Sequence, residues 1–348
     1  MRIQEKFFGG RHRLLSACLL AVALACSCAG NPEPGRGVYF WKSTFELCDY
    51  ELSFLRAHRV GLIYMKFFDV ALERDWDNGG ELAVVPVATV RFKSAIPEGI
   101  EVMPAVYITL DALRYYEGRE DELSELITER IFAMTSYNEI PEIKQVQLDC
   151  DWTESTRDSY FRLCECTAER LRSRGASLSG TVRLHQLSQV RSFPFYFPTL
   201  MLYNTGSLRD SSTLNSILQV SEVKKYLRHR RKFKYMDFAF PAYSWGVLLR
   251  DGRYSGLLHI SDFSDTALFA PSAEGRHILL RDTLIDGRLL RKGDVVRFES
   301  SDMEQIVLCR QLLDQRLLRS SGNNIIYHLD SASLSKFSYD EIESIYSR

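Results

Sequence analysis

The strongest chemical feature of this sequence is a pair of carboxylates in one short apolar segment. Residues 145–154 read Gln-Val-Gln-Leu-Asp-Cys-Asp-Trp-Thr-Glu, which predicts a β-strand with Gln147, Asp149 and Asp151 on one face. Two neighbouring carboxylates usually ionise at different pH values, so one can donate a proton while the other stays charged. The pair therefore indicates acid–base chemistry or, alternatively, a structural hydrogen-bonded pair or helix cap. We favour the first because a core strand rarely contains two carboxylates without a chemical role.

The rest of the chain alternates between short β-rich segments and amphipathic helical segments. Strands are predicted at 38–42, 60–68, 102–109, 146–151, 178–187, 199–204, 236–242 and 325–330. Helices are predicted at 49–58, 121–137, 155–174, 214–230 and 303–319. This order predicts an α/β fold, a single (β/α)8 TIM-type barrel over 38–348, whose functional residues collect at the C-terminal ends of the strands.

One long segment departs from this alternation. Residues from about 246 to 300 contain several short strands separated by turn residues. We predict a β-rich insertion after strand seven, near the mouth of the barrel. A small separate β-domain is the alternative.

Two predicted strand ends resemble motifs of the chitinase-type family 18 glycoside hydrolases. That family has Asp-x-Asp-x-Glu at the end of its fourth strand and Met-x-Tyr-Asp at the end of its sixth. Asp149 and Asp151 match the two aspartates of the first motif, and Met201 and Tyr203 match the Met and Tyr of the second. Asn204 replaces the aspartate of the second motif. The chain as a whole resembles a group of bacterial lipoproteins with a glycoside-hydrolase-like barrel.

The resemblance breaks down at the residue that protonates the glycosidic oxygen. The family's catalytic acid falls on Thr153, which has no carboxyl group, and the nearest carboxylate, Glu154, is displaced by one residue. Val146 stands where the longer family motif has its leading Asp. We therefore name Asp149, Asp151 and Glu154 as candidate catalytic residues but expect conventional chitinase activity to be absent.

Other polar and aromatic residues lie at predicted strand ends and are candidates for substrate binding. Aromatic rings there suit sugars, because the apolar face of a sugar ring stacks on them while polar neighbours bond its hydroxyls. The candidates are Trp41, Lys42, His185, Tyr203, Asn204, Tyr243, Trp245 and Asp330. Lys66, Asp69 and His328 occupy similar positions. Each could instead be structural, and His328 with Asp330 lacks an identifiable third metal ligand, so no metal site is predicted.

The N-terminus has the pattern of an export signal. Basic residues precede an apolar stretch at 14–25 that is too short to span a bilayer. Small residues then lead to Cys26, which resembles the lipobox cysteine of bacterial lipoproteins. We expect residues 1–25 to be a signal peptide, Cys26 to carry a lipid anchor and 26–37 to be a flexible tether, in the periplasm or on the cell surface. An ordinary cleaved signal is the alternative.

The composition and net charge of the chain limit the classes of partner that it is expected to bind. The 348 residues are 45% hydrophobic with a formal net charge of −1, which favours a globular protein and excludes nucleic acid as the main partner. The basic run at 228–234 is interpreted as the solvated C-terminus of a helix. No cofactor is predicted. The expected partner is an oligo- or polysaccharide, either hydrolysed by the barrel or bound by a noncatalytic barrel that has lost its acid.

Overall fold

The computed structural model describes residues 33–75, 79–272 and 275–347. The signal peptide, Cys26 and the tether as far as residue 32 lie outside the described residues. Pro34–Arg348 form one compact unit. Within the described residues, no helix is both long and apolar enough to cross a membrane.

The core of the unit is a closed barrel of eight parallel strands, which confirms the predicted fold class. The strands are β1 (Gly35–Phe40), β2 (Leu62–Asp75), β3 (Glu101–Ile108), β4 (Gln145–Asp149), β5 (Ser177–Val182), β6 (Phe197–Met201), β7 (Asp237–Pro241) and β8 (Asn323–Tyr327). Each strand pairs with the next, and β1 pairs with both β2 and β8, which closes the barrel. The barrel begins earlier than predicted, because Gly35–Val38 already pair with Asn323–Ile326.

Helices cover the outside of the barrel. The described residues contain α1 (Asp49–Ala57), α2 (Leu110–Tyr115), α3 (Glu120–Tyr137), α4 (Arg157–Ser173), α5 (Leu184–Gln189), α6 (Val220–Tyr226), α7 (Met303–Arg316), α8 (Ser331–Leu334) and α9 (Tyr339–Tyr346). The apolar stripe of α4 faces the barrel, and Tyr160, Leu163 and Leu171 are fully buried. The outer apolar core lies between these helices and the strands.

Apart from the segment after β7, three strand pairings of the described residues lie outside the barrel. Glu81–Val87 pairs antiparallel with the second half of β2. Thr44–Phe45 pairs with Arg91–Phe92, and Arg231–Tyr235 pairs with Leu317–Ser321. The last pairing ends the helix predicted at 303–319 at Arg316, since residues 317–319 satisfy their backbone groups as a strand. The helix predicted at 214–230 is confined to Val220–Tyr226.

The β-rich segment after β7 forms a five-stranded antiparallel sheet. Its strands are Ser244–Arg250, Arg253–Leu258, Phe269–Pro271, Arg276–Leu279 and Val295–Ser300, and a hairpin of Thr283–Ile285 and Arg288–Leu290 accompanies them. The sheet has its own small apolar core, made of Leu248, Leu258, Phe269, Leu279, Leu290 and Val296. This segment is called the insertion sheet below.

The barrel interior beneath the mouth is polar and fully hydrogen-bonded across strands. Tyr39 donates its hydroxyl proton to Gln147 Oε1 at 2.6 Å, and Gln147 Nε2 donates to Thr199 Oγ1 at 3.0 Å. Thr199 and Tyr64 both donate to Asp237 Oδ2, at 3.3 and 2.6 Å. Because each group in this layer has a partner, it forms a rigid floor below the strand ends that carry the site.

Candidate functional site

The site begins where β4 ends. Asp149 is the last residue of β4 and is only 3% exposed. Asp151 follows two residues later, at the mouth, with its side chain 49% exposed. Gln147, on the same face below them, is part of the buried floor. The predicted alternation therefore places both aspartates on the lumenal side of the barrel.

Arg183 holds both aspartates. It directly follows β5, and its Nε donates to Asp151 Oδ1 at 2.6 Å while its Nη2 lies 3.5 Å from Asp149 Oδ1. Thr181, the lumenal residue of β5 below it, donates to the same Asp149 oxygen at 2.5 Å. One guanidinium thus compensates two carboxylates, and the carboxylate pair is part of a three-residue ion cluster.

Burial and this cluster act on the pKa of Asp149 in opposite directions. Burial raises the pKa above its ordinary value, while Arg183 and the Thr181 hydrogen bond lower it, and burial dominates. The pKa of Arg183 rises above its already high value because Asp149 and Asp151 outweigh the effect of burial. The guanidinium therefore stays charged and fixed between the two aspartates.

A bulge in β2 brings a second ion pair to the mouth. The register against β3 shifts between Lys66 and Phe68, so one extra residue interrupts the alternation. Lys66 and Asp69 then lie on the same face, with Lys66 Nζ 3.1 Å from Asp69 Oδ2. The other oxygen of Asp69, Oδ1, is buried without a hydrogen-bond partner. In the register, Asp69 pairs with Tyr107 of β3, and Tyr107 pairs with Asp149.

These residues surround two connected cavities at the mouth. The first, of about 280 Å³, is lined by Trp41, Asp69, Tyr107, Asp149, Asp151, Arg183, Tyr203, Asn204 and Tyr327. The second, of about 220 Å³, shares Asp151, Arg183, Tyr203 and Asn204 and extends to His185, Thr205 and Tyr226. Together they are called the mouth cleft.

Aromatic rings make up one wall of the mouth cleft. Tyr203 stacks on Tyr327 with ring centroids 4.5 Å apart, and Trp41 lies 6.2 Å from Tyr327. Burial, with Asp151 and Asp149 nearby, raises the pKa of Tyr107 to about 12, so this phenol remains a neutral hydrogen-bond donor. The cleft thus combines flat apolar surfaces with fixed polar groups.

Comparison with solved structures identifies this architecture. The chitinase from Chromobacterium violaceum ATCC 12472 superposes with a TM-score of 0.53 at 11% identity, covering 90% of this chain and 99% of that one. The GH18 chitinase ChiB from the chitin utilization locus of Flavobacterium johnsoniae gives 0.51 at 11% identity, covering 90% and 94%. Group IV chitinase of Ostrinia furnacalis gives 0.52 at 9% identity, covering 90% and 98%. The fold is that of the family 18 chitinases.

Sequence comparisons add no closer relationship. No protein-family model matches the chain, and no curated protein matches it by sequence. The distant structural similarity fits the resemblance seen at the ends of strands four and six. It concerns the barrel fold and carries no activity over to this chain.

Several predicted residues lie together on this chitinase-like barrel. Asp149, Asp151, Trp41, Tyr203, Asn204 and His185 all line the mouth cleft. Asn204 is exposed and has a positive φ of 54°, which carries the chain away from the strand end. Tyr243 donates to Asn204 Oδ1 at 2.9 Å and packs against Tyr203 and Tyr327, so it positions the wall from behind.

The other predicted residues lie elsewhere. Glu154 is exposed, lines neither cavity of the mouth cleft and has no hydrogen-bond partner among the described residues. Thr153 is engaged with the turn before α4, where its backbone N–H donates to Thr156 Oγ1 at 3.0 Å. The loop that would carry the family's acid is therefore closed into a helix-starting turn.

Lys42, Asp330 and Trp245 serve contacts between elements. Lys42 Nζ lies 2.8 Å from Glu51 Oε1 and 3.3 Å from Asp330 Oδ1, and Asp330 also caps α8. Trp245 Nε1 donates to Glu299 Oε2 at 2.8 Å inside the insertion sheet. None of the three lines the mouth cleft.

The residues of the mouth cleft that the sequence analysis missed include Arg183, Tyr107 and Tyr327. Arg183 was hidden because strand five was predicted to run to residue 187, whereas it ends at Val182 and α5 begins at Leu184. Ending the strand at residue 182 would have placed Arg183 at the mouth. Tyr107 and Tyr327 are aromatic residues within predicted β-strands. Nothing in the sequence distinguishes them from aromatic residues that pack in the core.

Metal-binding geometry is not seen in the part of the chain that the structure describes, where no three His, Cys, Asp or Glu side chains converge. His328 Nδ1 is buried without a partner, and burial lowers the pKa of His328. Asp330, its expected companion, is occupied by Lys42 and by the backbone N–H of Ser333.

Proposed function

We propose that the mouth cleft binds a saccharide and does not hydrolyse it by the mechanism of the family 18 chitinases. The supporting observation is the state of the two aspartates, because Arg183 is bound to both of them. An acid for glycosidic bond cleavage must present a protonated carboxyl to the leaving oxygen. Asp151 is occupied by a guanidinium, and the position of the family's acid holds Thr153.

The walls of the cleft support a sugar as the ligand. Trp41, Tyr203 and Tyr327 offer aromatic surface, and Asn204 and Asp151 offer exposed polar groups beside it. This combination matches a sugar ring, which has an apolar face and a rim of hydroxyls. Two structural neighbours are a GH18 chitinase of Flavobacterium johnsoniae and a chitinase catalytic domain of Ostrinia furnacalis, and the second is in complex with a chito-oligosaccharide, which supports the same ligand class.

A binding and turnover screen tests this proposal. The full chain is titrated with a panel of polysaccharides and synthetic glycosides by calorimetry, and released reducing ends are measured in parallel. We expect binding without product, and an affinity about tenfold lower in Trp41→Ala, since stacking on an indole contributes about 1 kcal/mol or more. Glu154→Gln is the matched control, because this exposed carboxylate lies outside the cleft.

Turnover that disappears in Asp149→Asn or Asp151→Asn while the fold persists would overturn the noncatalytic proposal. Equal affinities of the wild type and Trp41→Ala would show that the ligand binds outside the mouth cleft. A second cleft variant, Asn204→Gly, guards against loss of folding in the tryptophan variant, because Asn204 is exposed in a loop and glycine adopts its positive φ without strain.

Hydrolysis is the second candidate, and one observation favours it. Asp69 lines the same cavity as Asp149 and has an oxygen free of hydrogen bonds. If the barrel is a glycosidase, Asp69 is the carboxylate available to act as its acid. Product release that is lost in Asp69→Asn and kept in Glu154→Gln would establish this candidate.

We further propose that the chain is an exported, lipid-anchored protein of a bacterial cell envelope. The basic n-region, the short apolar stretch and the small residues before Cys26 support this. Mass spectrometry of the N-terminal peptide from the membrane fraction tests it. We expect cleavage before Cys26 with acyl chains on that residue, and an unmodified Cys26 would contradict the anchor.

A further inference from the structure

A third cavity adjoins the mouth cleft on the outside of the barrel. It has a volume of about 420 Å³ and lies between α5, the end of α6 and the following loop. Its walls are Leu187, Ser188, Lys225, Tyr226, Leu227, Arg228, His229, Arg231 and Leu317. We call it the side cavity. Tyr226 lines both the side cavity and the mouth cleft, so the two meet at this ring.

The side cavity is lined by cationic side chains and by no carboxylate among its described residues. Lys225 is paired with Glu222 at 2.6 Å, but Arg228 is exposed, and its guanidinium has no hydrogen-bond or ion-pair partner in the described chain. Arg231 is half-buried and donates to the backbone carbonyls of Leu187 and Arg191, which are neutral. The positive charge of this cavity is therefore largely uncompensated.

Such a cavity attracts an anion. A guanidinium binds a carboxylate, sulfate or phosphate more strongly than a neutral hydroxyl, because the hydrogen bond is charge-assisted. The chain as a whole has a net charge of −1, so this cluster is a local feature and not part of a general basic surface. The mouth cleft differs from it, since the carboxylates of Asp69, Asp149 and Asp151 lie at its walls beside the Arg183 guanidinium.

Tyr226 provides the physical link between the two cavities. Its side chain is 38% exposed, and it lies at the C-terminal end of α6 where the cavities meet. An exposed phenol ring in this position is a platform on which one sugar ring can stack. A ligand that lies on this ring reaches the mouth cleft on one side and the cationic side cavity on the other.

We infer that the saccharide of the mouth cleft is an acidic one, which extends across Tyr226 and places a carboxylate, sulfate or phosphate group in the side cavity. This inference rests on the proposed function and specifies its ligand class. The sequence predicts a helix end for the basic run at 228–234, but the run follows α6 and enters the strand Arg231–Tyr235, and the inference gives its first residues a role in binding.

The test uses pairs of glycans that differ only in charge. The full chain is titrated with oligogalacturonate against its methyl ester, with 6-O-sulfated against unsulfated N-acetylglucosamine oligomers, and with phosphomannan against mannan. We expect the anionic member of at least one pair to bind about tenfold more tightly at low salt, and the preference to shrink with added salt. The pair that discriminates identifies the anion as carboxylate, sulfate or phosphate.

Variants locate the effect. Arg228→Gln with His229→Gln should abolish the preference for the anionic glycan while leaving binding of the neutral member unchanged. Tyr226→Ala should weaken binding of the anionic member further. Arg172→Gln is the matched control, because Arg172 is an exposed cation on α4 without a side-chain partner among the described residues.

The outcomes separate this inference from the proposed function. Equal affinity for both members of every pair, with binding still weakened in Trp41→Ala, overturns the acidic ligand and keeps the saccharide site. Binding of no glycan overturns both. If the Arg228 and His229 variant still prefers the anionic glycan, the anion binds elsewhere, and the assignment of the anion to the side cavity is wrong. Tighter binding to phosphatidylglycerol vesicles or to a single-stranded oligonucleotide than to any acidic glycan also contradicts the inference.

Discussion

Arg183 decides what the two aspartates can do. A lumenal Asp-x-Asp pair read without its surroundings predicts an acid and a neighbouring anion. With the guanidinium 2.6 Å from Asp151 and 3.5 Å from Asp149, the pair is a compensated ion cluster, and among the described residues Arg183 carries the only positive charge in contact with Asp149. Removing that charge leaves a carboxylate buried without compensation, which is one of the most destabilising changes available to a protein interior.

We predict that Arg183→Gln lowers the free energy of unfolding by about 3 kcal/mol at neutral pH, the lower end for a broken buried pair because the Arg183 side chain is 21% exposed. The loss depends on pH. Burial already raises the folded-state pKa of Asp149 above 3.8, and without Arg183 it rises further. The ionised carboxylate therefore destabilises the fold as pH rises, and the loss shrinks as pH falls and Asp149 becomes protonated.

Urea unfolding followed by circular dichroism at about pH 4.5 and about pH 7.5 measures this difference. The control is the double variant Arg183→Gln with Asp149→Asn, which has no buried carboxylate at position 149 and should recover most of the stability at the higher pH. A loss that is equal at both pH values would show that Arg183 acts through packing and not through the charge of Asp149.

At the scale of elements, the barrel was predictable because its signal is repeated. Each of the eight predicted strands overlaps an observed one, and the stripe on α4 is buried as expected. Apolar alternation and helical periodicity extend over whole segments, so an error in the bounds of one segment does not change the predicted fold. The insertion sheet was also located correctly, since turn-separated short strands cannot continue a βα pattern.

The ends of elements were harder to predict, and the site depends on them. Strand five was predicted five residues too long, which concealed Arg183. The bulge in β2 that turns Asp69 toward Lys66 leaves no mark in the sequence, because it arises from the register against β3. Asp330 and Glu154 were assigned to the site from position alone, whereas local turns and caps determine where they lie.

The insertion sheet supports the loop that carries one edge of the mouth cleft. Glu299 is fully buried and pairs with Arg297 at 2.6 Å. Its other oxygen accepts from Trp245 Nε1 and from Ser216 Oγ, and the backbone carbonyl of Ser216 accepts a hydrogen bond from the backbone N–H of Gly206. Glu299 therefore connects the insertion sheet to the residues directly after Asn204.

We predict that Glu299→Ala lowers the free energy of unfolding by about 3–5 kcal/mol, because it leaves the buried Arg297 without its counter-ion. It should also weaken saccharide binding, since Ser216 loses its anchor. Thermal unfolding and calorimetry measure the two effects. In the double variant Arg297→Met with Glu299→Leu, stability should recover while affinity stays low. Recovery of both would show that Glu299 does not position the loop.

At the scale of the whole folded unit, the two ends of the barrel chain are tied together by one carboxylate. Glu343 on α9 accepts from Arg36 Nη1 at 2.8 Å, and its Oε1 lies 2.8 Å from His58 Nδ1. Tyr346 of the same helix donates to the carbonyl of Gly37 in β1 at 3.1 Å. The helix α9 is thus fixed to β1 and to the end of α1. These elements are far apart in the sequence but adjacent in space where the barrel closes.

This carboxylate has the opposite pH response to Asp149. Burial alone would raise the pKa of Glu343, but Arg36 and His58 outweigh it and hold the pKa below the ordinary 4.5. Its stabilising contribution is therefore present above pH 4.5 and is lost as pH falls through the folded-state pKa.

We predict that Glu343→Gln lowers the free energy of unfolding by about 2 kcal/mol at neutral pH, and that the difference from wild type disappears in acid. Urea unfolding across this range measures it, with the exposed Asp340→Asn on the same helix as the control, expected within about 0.5 kcal/mol of wild type. A difference that persists in acid would mean that Glu343 stabilises the closure by shape, since a protonated glutamate and a glutamine would then differ for reasons other than charge.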